Sequence, residues 1–118
     1  VASARGDFSF ESGVIAAGAL LEGHPGIDAL VCANDAMALG ALEAARRLNV
    51  AVPERLAVTG FDDVPQAAWG ACPLTTVENP VAATACEALR LLARRIETPR
   101  APAEVVRVPA TLVARASA

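Results

Sequence analysis

Val31-Cys32-Ala33-Asn34-Asp35-Ala36-Met37-Ala38-Leu39-Gly40-Ala41-Leu42 opens on an apolar run, halts at Asn34-Asp35 and resumes as a small-residue helix pattern. A second junction of this kind follows at Val58-Thr59-Gly60-Phe61-Asp62-Asp63. In each, a short run suited to a buried parallel strand stops at polar residues, which is where open α/β sheets carry their ligand-binding groups. Asn34 and Asp62 are therefore expected on one rim.

Working outward, Gly6-Asp7-Phe8 turns into a helix expected from about Glu11 to Leu21, with Ser9 as its cap and Val14, Ala17, Gly18 and Leu21 on one face. Val1 to Ala4 reads as the end of a strand. His24-Pro25-Gly26 breaks the chain before a strand over Asp28 to Ala33, and a helix is expected from about Asp35 to Leu48. Asn49 suits its end, Pro53 blocks continuation, and Leu56 to Phe61 is the next strand. Val64 to Cys72 suits one or two helical turns, and Pro73 to Val77 runs extended. Asn79-Pro80 combines a side-chain cap with the residue best tolerated at the first helical position. Val81, Ala85, Leu89, Leu92 and Ile96 then recur at helical spacing, so this helix needs an apolar partner. Val105 to Val108 and Leu112 to Val113 are strand-like, with Pro109 between them. The βαβα order predicts right-handed crossovers and an α/β, Rossmann-like parallel sheet with flanking helices, placing Phe8, Asn34 and Asp62 at three successive junctions of one edge.

Composition narrows the classes further. A chain of 118 residues with 54% hydrophobic content and a mean hydropathy of +0.42 has enough apolar surface for one core. The apolar residues are mainly Ala, Val and Leu with only 3% aromatics, which suits helices packed on a parallel sheet better than a β-sandwich. A net charge of −3 argues against nucleic-acid binding by this stretch, because phosphate recognition relies on clustered positive charge. Arg90, Arg94 and Arg95 form the one dense basic cluster, and a solvated helix face accounts for it.

Cys32, Cys72 and Cys86 are odd in number, widely spaced and accompanied by a single His24, a pattern of neither a zinc site nor a disulfide framework. Cys32 is expected as a small core residue. The chain reads as reduced and intracellular, with no run approaching a membrane span and no signal-peptide plan at its start. Because Val1 is not an initiator Met, a fragment or processed product is expected. Enzymatic readings find no support: His24 lies in a Pro-Gly turn without a nucleophile partner, Gly13 and Gly18 form no phosphate-cradling loop, and Asp62-Asp63 are adjacent residues whose side chains need not converge. No catalytic residue, metal site or cofactor is called for.

The order and spacing of Ala33-Asn34-Asp35-Ala36-Met37-Ala38-Leu39-Gly40-Ala41-Leu42, Val52-Pro53-Glu54, Gly60-Phe61-Asp62-Asp63, Pro73-Leu74-Thr75-Thr76-Val77 and Pro80 resemble the effector-binding core of lactose-repressor (LacI/GalR) family transcription regulators. Gly6-Asp7-Phe8 with Glu11-Ser12-Gly13 extends the resemblance upstream, and Val108-Pro109-Ala110-Thr111-Leu112-Val113-Ala114-Arg115 extends it downstream, so it covers nearly the whole chain. It implies part of a periplasmic-binding-protein-like type I fold, in which two α/β subdomains close around a ligand. On this comparison residues 1–78 belong to the C-terminal subdomain, 79–102 are a crossover and helix that belong with the N-terminal subdomain, and 103–118 are a returning strand. It also implies a small-molecule effector, with a carbohydrate as the expected class, and a cytoplasmic homodimer that reaches DNA only through a helix-turn-helix absent from this chain.

Three residues are the expected effector contacts. The Asp62 carboxylate accepts two hydroxyl hydrogen bonds, stronger than neutral ones, and the resemblance gives this role to the first Asp after Gly-Phe, leaving Asp63 to cap the following turn. Asn34 offers a donor and an acceptor and so suits a hydroxyl either way round; its competing role is a helix cap, which Asp35 next door is able to fill. Phe8 supplies a flat apolar wall for a sugar ring or a purine, with core packing as its rival and Phe10 as an equally available aromatic. Trp69, the one Trp, suits either a subunit interface or simple packing. The small-residue face of the 35–48 helix permits close approach by the sheet or by a second subunit. The competing functional class is a sugar-binding receptor of a membrane transporter, which shares the fold and rim chemistry; the Pro73-Leu74-Thr75-Thr76-Val77 crossover with Asn79-Pro80 favours the regulator.

Overall fold

The computed structural model describes all residues from Val1 to Ala118. Helix α1 (Phe10–Gly23) starts where expected because the Ser9 hydroxyl accepts the Ser12 amide at 3.1 Å. Strand β1 (Ala29–Val31) leads into α2 (Asp35–Arg47), and β2 (Ala57–Thr59) pairs with β1 in parallel, Leu30 opposite Val58. A 3-10 turn at Pro65–Ala68 precedes β3 (Thr76–Glu78). Parallel bridges Thr59–Thr75 and Asp62–Glu78 carry the ladder on from β2 to β3, and β4 (Thr111–Val113) joins β3. The parallel α/β arrangement read from the βαβ order is therefore present.

The chain divides into two compact units: Val1–Glu78 with Leu112–Ala118, and Asn79–Thr111. In the first, Leu30, Leu56, Val58 and Leu74 are buried against Ala17, Ala38, Ala41, Ala44 and Ala45. The small residues of α2 serve α1 and the sheet rather than requiring a second subunit. A Cβ on Gly40 would collide with the Phe10 carbonyl and the Val14 amide, and one on Gly13 would collide with the Met37 backbone. The two helices thus cross backbone to backbone. At its C-terminus α2 ends in a left-handed Asn49 (φ 55°), with Val50 N donating to Ala45 O at 2.8 Å and Asn49 N to Arg46 O at 3.2 Å, the two bonds of a Schellman cap.

The C-terminal residues tie β2 to the chain entering β3. Ser117, fully buried, accepts the Thr75 amide on its hydroxyl at 2.8 Å and donates to Val58 O at 2.6 Å, while Ser117 O accepts the Val58 amide at 2.7 Å. One serine therefore bridges β2 to the segment entering β3.

Several local expectations are corrected. Val1 to Ala4 and Val105 to Val108 form no strand, because neither run pairs with a neighbouring strand and alternation alone does not satisfy a ladder. In the second unit, α3 (Val81–Glu97) begins one residue later than Asn79-Pro80 suggests: Pro80 occupies the cap position without a side-chain bond, and Val81 N donates to the Asn79 carbonyl at 2.7 Å. Residues 103–111 lie in the second unit with α3, where Glu104 is bound by Arg90 at 2.8 Å and by Arg94. No residue of α3 is buried, and Val81, Leu89, Leu92 and Ile96 stand exposed.

Candidate functional site

The turn before α1 and the strand ends after β1 and β2 are tied together by hydrogen bonds. Asn34 does the capping that Asp35 was expected to share: its Oδ1 accepts the Met37 amide at 3.0 Å, while its Nδ2 reaches back to the Phe8 carbonyl at 3.0 Å. One amide side chain thus starts α2 and anchors the first junction to the second. Its Nδ2 carries two hydrogens and its Oδ1 two lone pairs, so these two bonds leave capacity for a ligand hydroxyl.

Phe8 is 65% exposed, with its backbone at φ 70°. A bulky non-glycine residue at positive φ is uncommon and accumulates where side chains are aimed at ligands. The turn below it is fixed by Asp7, whose carboxylate accepts from the Ser9 amide at 3.0 Å and the Ser9 hydroxyl at 2.5 Å; these bonds hold its pKa below the ordinary carboxylate value. Phe8 is not core. Phe10, the alternative aromatic, faces a different groove and is itself partly exposed.

The third junction holds Asp62 and Asp63, both at positive φ (120° and 55°). Asp62 N donates to Val77 O at 2.9 Å, which places the residue between β2 and β3 at the end of the ladder. Asp63 does not cap the following turn, whose cap position is Val64 with no side-chain bond. Its carboxylate instead accepts Arg115 Nη2 at 2.6 Å, and Arg115 also donates through Nη1 to Leu74 O at 2.9 Å. The Asp63 carboxylate is thus paired with an arginine, while the Asp62 backbone joins β3.

Two residues escaped the sequence reading. Asp35, read only as a cap, is fully buried and bonds across to the third junction. Arg115, near the C-terminus, carried no local pattern that pointed to residue 63, since 52 positions separate them. Cys32 borders the core just beyond β1, and burial pushes its thiol up to about 11. It lines a cleft of about 880 Å3 beside β1, together with Phe8, Val31 and Met37. Trp69 is 64% exposed and lines a separate apolar groove of about 590 Å3 with Phe10, Leu39, Leu42 and Val52. No helix is long and apolar enough to cross a membrane.

Asn34 and Asp62 follow the ends of two parallel strands, the place where open α/β sheets carry ligand-binding groups, and Phe8 is tied to Asn34. Residues 2–118 match the periplasmic binding protein-like domain family, and the chain belongs to it. The resemblance to LacI-type regulators read from the sequence holds. The HTH-type transcriptional regulator MalR of Streptomyces coelicolor is 45% identical over 109 residues, 90% of this chain and 30% of that protein. Among solved structures, the complex of the transcriptional regulator CelR with cellobiose matches with a TM-score of 0.89 and 36% identity, covering 96% of this chain and 35% of that one. A LacI family regulator from Arthrobacter sp. FB24, in complex with lactose, matches at 0.80 and 29%, covering 93% and 41%. The chain spans about a third of the length of these relatives.

Proposed function

We propose that this chain is the effector-binding part of a LacI-type transcription regulator, and that its rim of Phe8, Asn34 and Asp62 takes a carbohydrate. Supporting this is the linkage of a ring-sized aromatic, a two-way amide and a charged acceptor through Asn34 Nδ2 to Phe8 O and Asp35 N to Phe61 O, with Phe8 and Asp62 held at positive φ. That MalR, CelR and the lactose-bound regulator are relatives supports the choice of a sugar and of a regulator over a transport receptor or an enzyme. The site is one of binding, with no cofactor. In the whole protein, sugar binding shifts the population between two subdomain arrangements and so changes the affinity of a separate helix-turn-helix for its operator, in the cytoplasm. The protein acts as a homodimer, for which the exposed Trp69 and its apolar groove are the candidate surface.

The test is calorimetric titration of the intact protein with cellobiose, lactose and maltose, comparing wild type with Asp62→Asn. Asn tolerates positive φ as Asp does, so the turn is retained while the charge is lost. A drop of roughly ten- to hundredfold in affinity is expected, the equivalent of about 1.5–3 kcal/mol for a charge-assisted contact. Unchanged affinity removes Asp62 from the site.

A further inference from the structure

We infer that Asp35 is a positioning residue for the Asp62–Asp63 turn, an inference that rests on Asp62 being a ligand contact. Asp35 is fully buried, and all three of its non-helical hydrogen bonds leave its own helix. Its backbone N donates to Phe61 O at 2.8 Å, immediately before the aspartate pair. Its Oδ2 accepts the Val64 amide at 2.9 Å, immediately after the pair. Its Oδ1 accepts Thr76 Oγ1 at 2.5 Å, on the strand whose next residue, Val77, receives the Asp62 amide.

Two consecutive L-residues at positive φ are strained and persist only where their surroundings over-determine them. Asp35 supplies that determination by bracketing both ends of the turn and fixing it to β3. Helix capping does not require it, because Asn34 fills that role. Nor is the carboxylate an accident of packing: a Cβ at Gly60 would collide with Asp35 Oδ1, so the end of β2 leaves room for it. A buried carboxylate without full hydrogen bonding is strongly disfavoured, and here both oxygens are bonded. The carboxylate spans three elements and touches no ligand position itself. Its role is to hold the Asp62 side chain where the rim needs it.

The experiment compares wild type, Asp35→Ala, Asp35→Asn and Thr76→Val in the intact protein. Two readings are taken: without ligand, the amide exchange of Val64 and the amide–Hα couplings of Asp62 and Asp63; with cellobiose, lactose and maltose as probes, affinity. Asp35→Ala is expected to speed Val64 exchange about tenfold or more and to weaken the bound sugar about tenfold, while Leu30 and Val58 keep their protection. Asp35→Asn retains an acceptor for Val64 and a donor for Thr76 Oγ1, so it is expected to restore both readings to within about threefold. Unchanged Val64 exchange and unchanged couplings in Asp35→Ala overturn the inference, as does an Asn variant no better than Ala. If Asp35→Ala fails to fold, Thr76→Val decides: accelerated Val64 exchange supports the role and an unchanged rate overturns it. Should wild type bind none of the three sugars, the carbohydrate reading fails on its own, and exchange with couplings still settles whether Asp35 positions the turn.

Discussion

Single residues of this chain carry more than one bond each, and that is where its chemistry is concentrated. Asn34 caps α2 and ties down Phe8 in one geometry, so substituting it disturbs a helix start and the Phe8 turn together. Ser117 is the plainer case: Ser117→Ala leaves the buried Thr75 amide without its acceptor and Val58 O without its donor. A loss of about 1–3 kcal/mol in denaturant unfolding is expected, with no change in ligand selectivity. Cys32 gives a pH-dependent reading. Burial raises its thiol from 9.0 to about 11, so the folded state favours the neutral form. The stability this contributes is complete below the unfolded value, near 9, and is lost as pH rises towards 11. Alkylation of Cys32 in the folded chain should accordingly keep accelerating up to about pH 11, whereas in urea it should level off near pH 9. A plateau near 9 in the native protein would contradict the burial.

At the scale of elements, the α1–α2 crossing depends on two absent side chains. Gly40→Val drives a branched side chain into the Phe10 carbonyl and Val14 amide, and overpacking of this kind costs about 1–3 kcal/mol, readable as a lowered urea midpoint. The apolar stripe of α3 is a different matter. With no buried residue, a 17-residue helix has only its local bonds and surface ion pairs to sustain it. In the isolated 118-residue chain its amides are expected to exchange much faster than those of α2, and equal protection across Val81–Glu97 would show that the stripe has found a partner. Elements with strong periodic patterns were legible in the sequence: Ser9 as a cap, Asn49 as a stop, and the parallel order of β1 and β2. Misreadings came where a local rule met a distant partner. Asp35 looks like a cap until Thr76 and Val64 arrive from later in the chain, Asp63 looks like a cap until Arg115 takes its carboxylate, and Val105 to Val108 looks like a strand until pairing is required of it.

In the whole protein, the proposed ligand response and DNA reading belong to separate parts. The 118-residue chain alone, with a net charge of −3, is expected to show no salt-sensitive retention of duplex DNA at low ionic strength. Trp69→Ser should weaken self-association in light scattering without altering sugar affinity, because the Trp69 groove and the rim share no lining residue that the sugar is expected to touch. The central claim, that the rim of Phe8, Asn34 and Asp62 receives the sugar, is tested most directly by mapping amide chemical shifts during titration with cellobiose, lactose and maltose. The account predicts that a binding sugar shifts Phe8, Ser9, Asn34 and the Phe61–Asp63 amides together while those around Trp69 hold still. Shifts confined to the Trp69 groove or to α3, with the rim unmoved, would contradict it.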